Sequence, residues 1–237
     1  MHHLSRLKIL IVLLCFVPLS KSYSQIKNGG VHYRDFQGKP YYFGLSFGFN
    51  NSDYQIFHSN DFILNDSLRA AQSIKGPGFV VGIVTNLKLG DYFDLRMIPA
   101  FSFTERTIDY KGIDEGADEL NRVEATFMEL PFLLRYKSMP YKDFRLFVLG
   151  GMKYSYDISS KSRTKRFTNL IKLSPHDFSA EVGAGIQFFL PYFIFSPEIK
   201  FSQGLGNTLI YKGDTVKARI IDKILSRSFT IAFNFEG

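Results

Sequence analysis

Residues 41–50 read Tyr41-Tyr42-Phe43-Gly44-Leu45-Ser46-Phe47-Gly48-Phe49-Asn50. Phe43, Leu45, Phe47 and Phe49 alternate with Gly44, Ser46, Gly48 and Asn50. A period of two sends the four large apolar side chains to one face of an extended strand; at helical spacing they would scatter around the axis.

The same period recurs along the chain. Phe79, Val81 and Ile83 oppose Val80, Gly82 and Val84, although the contrast is blurred there. Phe93, Leu95, Met97, Phe101 and Phe103 oppose Asp94, Arg96, Ala100, Ser102 and Thr104. Met128, Leu130, Phe132, Leu134 and Tyr136 oppose Glu129, Leu133 and Arg135, and Leu146, Val148, Met152, Tyr154 and Tyr156 oppose Arg145, Gly151, Lys153 and Ser155. Phe178, Ala180, Val182, Ala184, Ile186 and Phe188 oppose Ser179, Glu181, Gly183, Gly185 and Gln187. Phe193, Phe195, Ile199 and Phe201 oppose Ser196, Glu198, Lys200 and Ser202, and Phe229, Ile231, Phe233 and Phe235 oppose Ser228, Thr230, Ala232 and Asn234.

Eight such segments are joined alternately by long polar connections and by tight turns at residues 88–92, 138–143 and 190–192. An even strand number with long loops at one end and short turns at the other is the pattern of an outer-membrane barrel. The expected fold is all-β: an eight-stranded antiparallel up-and-down transmembrane β-barrel over residues 41–237, with long extracellular loops. Pro99, Pro131 and Pro197 fall inside three of the strands, where each removes a ladder donor. A closed barrel has no edge strand for them, so bulges are expected at these positions.

Volume decides which face meets lipid. Eight strands enclose an interior only wide enough to be filled by side chains, and the large apolar set, drawn from 25 Phe and 13 Tyr, would not fit. The face carrying Gly44, Gly48, Gly82, Gly151, Gly183 and Gly185 suits a crowded interior. That face also carries Asp94, Glu129, Glu181 and Glu198 with Arg96, Arg135, Arg145, Lys153 and Lys200. Buried charges persist only when paired, so these nine are expected to form a structural ion-pair network that plugs the lumen.

Residues 1–24 stand apart. Arg6 and Lys8 precede an apolar run at residues 9–17, and Ser22 and Ser24 form a small-x-small site before Gln25. The segment is read as a cleaved secretory signal peptide, too short to span a bilayer. Residues 25–40 are then a short periplasmic segment. Cys15 is the single cysteine and follows Leu14, which is not small; no lipid anchor, disulfide or thiolate metal site is expected. The formal charge of +7 falls to +4 once Arg6, Lys8 and Lys21 leave, too small an excess to argue for nucleic acid. Outer-membrane lipid is the expected surrounding.

Groups with chemical potential are few. Ser174, His176 and Asp177 lie where a long loop enters a strand, and rim Ser, His and Asp serve in barrel enzymes that act on lipid. Adjacent strand residues point to opposite faces, however, so His176 and Asp177 cannot readily orient one another, and no enzyme is expected. Lys161, Arg163, Lys165 and Arg166, with Lys172, are candidates for contact with lipopolysaccharide phosphates, although an ordinary solvated loop accounts for them better. Asp114, Glu115, Asp118 and Glu119 lack calcium-loop spacing. No phosphate-cradling loop, histidine cluster or dinucleotide fingerprint occurs, and no cofactor is expected.

Three stretches, Met128-Glu129-Leu130-Pro131-Phe132-Leu133-Leu134-Arg135-Tyr136, Val182-Gly183-Ala184-Gly185 and Pro197-Glu198-Ile199-Lys200, resemble the outer-membrane β-barrel domain common in Bacteroidota. More narrowly, Gly78-Phe79-Val80-Val81-Gly82-Ile83-Val84, Leu95-Arg96-Met97-Ile98-Pro99 and Tyr154-Ser155-Tyr156-Asp157 resemble the PorT (SprT) proteins. That resemblance spans nearly all of the chain after residue 24. It places the three prolines inside matching stretches. It implies an accessory role in type IX protein secretion, with gliding motility where present, and other secretion components as partners. It brings no active-site residues with it. A surface-interaction barrel and a lipid-modifying barrel enzyme are the competing classes.

Overall fold

The computed structural model describes residues 29–58, 68–112, 119–159, 172–211 and 221–237. The expected signal segment lies outside them. A short helix α1 (Val31–Gln37) precedes the strands β1 (Tyr41–His58), β2 (Leu68–Ile74), β3 (Gly76–Lys88), β4 (Phe93–Met97), β5 (Ala100–Gly112), β6 (Glu119–Lys137), β7 (Phe144–Asp157), β8 (Lys172–Leu173), β9 (His176–Phe189), β10 (Ile194–Gly204), β11 (Leu209–Tyr211) and β12 (Ile221–Glu236).

The strands close into a ring of eight antiparallel staves. β1 pairs with β12 on one side and β3 on the other, and the circuit runs β1–β12–β10–β9–β7–β6, then β4 with β5, then β3. β2 and β3 share one stave, as do β4 and β5. Closure leaves no open edge, the condition for crossing a bilayer with strands. No described helix is long and apolar enough to cross a membrane.

Tyr41, Phe43, Leu45, Phe47 and Phe49 all project outward and are exposed, as are Phe79, Val81, Ile83, Phe132, Leu134, Val182, Ile199, Phe229 and Ile231 around the wall. Eight residue steps separate Tyr41 from Phe49. That is about 26 Å of strand and roughly 20 Å of barrel height at the usual tilt, close to the ~25 Å apolar band of outer-membrane barrels. Above the band the outward positions turn polar. Arg227 clamps Asp53 across the β1–β12 pair with two hydrogen bonds at 2.9 and 2.5 Å, and Gln203 donates to Gln55 at 3.2 Å.

The bulges expected at the prolines do not form. Met97 pairs with Phe132 and Ala100 with Glu129, so the register passes Pro99 and Pro131 without a shift. These two prolines flank one short gap in the ladder, where β4 gives way to β5, instead of distorting two separate places. The Pro99 carbonyl still accepts from the Ile83 amide at 2.9 Å. At Pro197 the pairing with β12 continues through Phe233, and the ladder lapses only toward β9. A missing donor removes one bond; it does not add the extra residue that a bulge requires.

The strands also outrun the lengths read from the alternation. β1 continues to His58, β6 begins at Glu119 and β12 at Ile221, so part of what looked like long loop is barrel wall beyond the apolar band. The tight turns hold: residues 89–92, 138–143 and 190–193 join β3 to β4, β6 to β7 and β9 to β10. Gly90 takes φ 148° in the first of them, a conformation that favours glycine.

Candidate functional site

Residues that alternate inward bring charge into the lumen from six staves. Ten of them link into one path whose signs alternate at every step. Lys137 meets Asp94; Asp94 meets Arg135 at 2.5 Å; Arg135 approaches Glu236 at 3.9 Å; Glu236 meets Arg96. From Arg96 the path continues to Glu198 at 2.9 Å, Lys200 at 3.7 Å, Glu181 at 3.4 Å, Lys153 at 3.5 Å and Glu129 at 3.4 Å. Arg96, Arg135 and Asp94 are fully buried. Lys137 and Glu129 lie eight residues apart on β6, so the path rises roughly 20 Å through the lumen.

Five carboxylates and five cations make the path neutral, and each charge has an opposite neighbour. This is the arrangement in which low-dielectric burial is tolerated, because no ion is left without a counter-charge. Neutral groups brace it. The Tyr42 hydroxyl accepts from Arg135 and lies 3.4 Å from Asp94, while the Gln187 amide nitrogen approaches Tyr42 at 3.4 Å and Glu236 at 3.5 Å. Lys137, Glu236, Tyr42 and Gln187 were absent from the charged set read from the sequence. Lys137 and Glu236 sit at strand ends, where alternation fades, although both keep the inward parity of Arg135 and Asn234.

The lumen also has an apolar layer, of which the alternation disclosed Leu133 but not Phe147 or Leu149. Leu133, Phe147 and Leu149 form a buried cluster on the inward face. Phe147 pairs with Gly185 and Leu149 with Gly183 across β7 and β9, and a Cβ at Gly185 would lie 2.5 Å from the Phe147 ring. The glycines vacate the volume that these two side chains fill.

At the mouth on the side of the tight turns, α1 packs Phe36 against Phe189 and Ile194, with Tyr33 alongside. Gly30 donates to the Lys142 carbonyl at 2.8 Å, the Tyr33 amide to Asp143 Oδ1 at 3.1 Å, and Lys88 Nζ to the Phe36 carbonyl at 2.5 Å. Burial pushes the Tyr33 phenol above its ordinary pKa, so it stays neutral. Behind it sits Arg145, with Tyr33 and Phe189 rings 5.6 and 5.3 Å from its guanidinium carbon. Arg145 is the one predicted interior cation outside the alternating path.

The outer rim disperses the three residues considered for catalysis. Asp177 is buried and accepts from Ser226, whereas His176 faces outward with Nδ1 2.7 Å from the Tyr154 hydroxyl. Ser174 Oγ is engaged by the His176 backbone at 2.8 and 3.1 Å. The three form no relay. Among the described residues no group of three or more metal-ligating side chains converges. Lys161, Arg163, Lys165 and Arg166 lie outside the described residues, as do Asp114, Glu115 and Asp118.

The family described as outer membrane protein beta-barrel domain matches residues 25–209. The chain belongs to this family. An outer-membrane barrel is what closure, the apolar band and the charged interior require, and the family places the chain in the outer membrane. The chain is similar to several solved structures. OprG from Pseudomonas aeruginosa is 13% identical with a TM-score of 0.47, over 83% of this chain and 95% of that one. Ail of Yersinia pestis, solved with the heparin analogue sucrose octasulfate, is 12% identical with a TM-score of 0.39, over 84% and 100%. The translocator domain of the autotransporter NalP from Neisseria meningitidis is 9% identical with a TM-score of 0.37, over 85% and 90%. No curated protein matches the chain.

Proposed function

We propose that this outer-membrane barrel is an accessory component of type IX protein secretion that acts through protein contacts, neither conducting cargo nor catalysing a reaction. One observation carries the contact reading: the lumen is filled by the alternating ion-pair path and the Leu133–Phe147–Leu149 layer, with α1 docked across its periplasmic mouth. A translocating chain would have to displace buried, paired charges, each worth several kcal/mol once orphaned. The dispersal of Ser174, His176 and Asp177 supports the absence of catalysis. The assignment to type IX secretion rests on the PorT-like stretches at residues 78–84, 95–99 and 154–157. Delivery follows export with cleavage after Ser24.

The test is a clean gene deletion. Cargo proteins should accumulate unprocessed inside the cell, with loss of surface-enzyme or gliding phenotypes. A copy carrying S174A, H176A and D177A should restore export. Normal export in the deletion strain refutes the secretion role and favours a surface-interaction barrel, a reading supported by the wall of β1, β6 and β12 that rises beyond the apolar band. Failure of the triple variant with its barrel intact refutes the non-enzymatic reading.

A further inference from the structure

The charge path leaves one cation over. Every cation of the path has a carboxylate within 4 Å: Arg96 has Glu198 and Glu236, Arg135 and Lys137 share Asp94, and Lys153 and Lys200 share Glu181. Arg145, 4% exposed, has none among the described residues. Its Nε donates to Gln187 Oε1 at 2.8 Å, and its terminal nitrogens make no hydrogen bond to the described residues. A guanidinium carries five N–H donors and never gives up its proton, so one neutral acceptor leaves four donors for whatever occupies the pocket.

Arg145 lines a small pocket between α1 and the barrel mouth, together with Lys88, Lys137, Tyr33, Phe189 and Asp91. Lys137 is held by Asp94, and Lys88 caps the carbonyl end of α1. Asp91 sits exposed on the adjoining turn and makes no ion pair with Arg145. Lys88, Lys137 and Arg145 line the pocket against the single acid Asp91, so its lining carries an excess of positive charge. The Tyr33 and Phe189 rings, 5.0 Å apart and nearly perpendicular, both lie to one side of the guanidinium. A planar carboxylate matches the fork of a guanidinium.

We infer that the periplasmic mouth beneath α1 is a receptor for one carboxylate, with Arg145 as the binding group. The inference goes beyond the secretion reading and stands on the geometry of the mouth alone. An acidic side chain of a periplasmic protein and a free small carboxylate share this chemistry, and the probes separate them.

The refolded protein in detergent micelles, labelled with 15N-arginine, is titrated with acetate, acetamide, inorganic phosphate, and the blocked tripeptides acetyl-Ala-Glu-Ala-amide and acetyl-Ala-Gln-Ala-amide at constant ionic strength. Acetate should shift the Arg145 Nε–H signal saturably, and acetamide should not. The Glu tripeptide should bind at least as tightly as acetate and the Gln tripeptide about tenfold or more weaker. Tighter binding of the Glu tripeptide than of acetate assigns the carboxylate to a protein chain; equal binding assigns it to a small carboxylate. R145Q should abolish saturation, while R34Q on the exposed face of α1 should leave it intact. Equal responses to the Glu and Gln tripeptides, a preference for phosphate, or an unchanged titration in a folded R145Q protein would overturn the inference. The wild-type comparison decides it even if R145Q fails to fold.

Discussion

Replacing Asp94 by asparagine strikes the charge path at a carboxylate shared by two cations. Asp94 Oδ2 binds Arg135 through Nε at 3.2 Å and Nη2 at 2.5 Å, and Oδ1 binds Lys137, all with side chains almost wholly buried. The substitution leaves two cations where one carboxylate had held them. Arg135 keeps Glu236 at 3.9 Å and the Tyr42 hydroxyl, and Lys137 keeps the Gly90 carbonyl at 3.4 Å. Orphaning one member of a buried pair costs about 3–5 kcal/mol, and the surviving partners hold D94N within that range. Adding K137M removes the surplus cation and should recover about 1–2 kcal/mol, a coupling within the range for contacting residues. The assay is a urea unfolding titration of the refolded barrel, read by the gel mobility of unheated samples. D91N, on the exposed turn, serves as the control and should stay within about 0.5 kcal/mol. If D94N matched D91N, or K137M made D94N worse, the lumen charges would not form the coupled path described.

Three further outcomes follow from the same structure. Phe47→Lys, placed in the outward apolar band, should destabilise the membrane-embedded barrel by about 2–4 kcal/mol, whereas Asn51→Lys at the polar border should cost about 0–1 kcal/mol in the same titration. Gly151→Val should cost at least about 1–3 kcal/mol or block folding, because a Cβ there would lie 2.1 Å from the Phe132 carbonyl oxygen; Gly38→Ala, with nothing within 4 Å, should be neutral. Phe36→Ala should detach α1 without unfolding the barrel, seen as faster amide exchange at residues 31–37 and unchanged exchange in β9 and β10.

The barrel was legible because lipid outside and polar contacts inside impose a strict period on each stave, and residues 41–50 carry it without interruption. Legibility failed where that contrast fails. Beyond the apolar band both faces of β1, β6 and β12 leave the lipid, so nothing in the hydrophobic pattern marks them as strand. Phe147 and Leu149 are apolar at inward positions, and only their pairing with Gly185 and Gly183 explains them. Lys137 and Glu236 complete the charge path from strand ends that the alternation did not reach. The seven residues of α1 are too few for a periodic signature, and its N-terminal Gly30 makes no side-chain cap. The prolines misled in the other direction: local chemistry argued for bulges, while closure of the ring held the register on both sides of each one.

The claim that the protein works by contact through a sealed barrel is tested most directly by ion conductance. The refolded protein, with and without residues 29–39, is inserted into planar bilayers and its unitary currents are recorded. Without α1 the alternating path still fills the lumen, so neither form should show a stable open level. A steady, reproducible conductance from the intact protein would contradict the account.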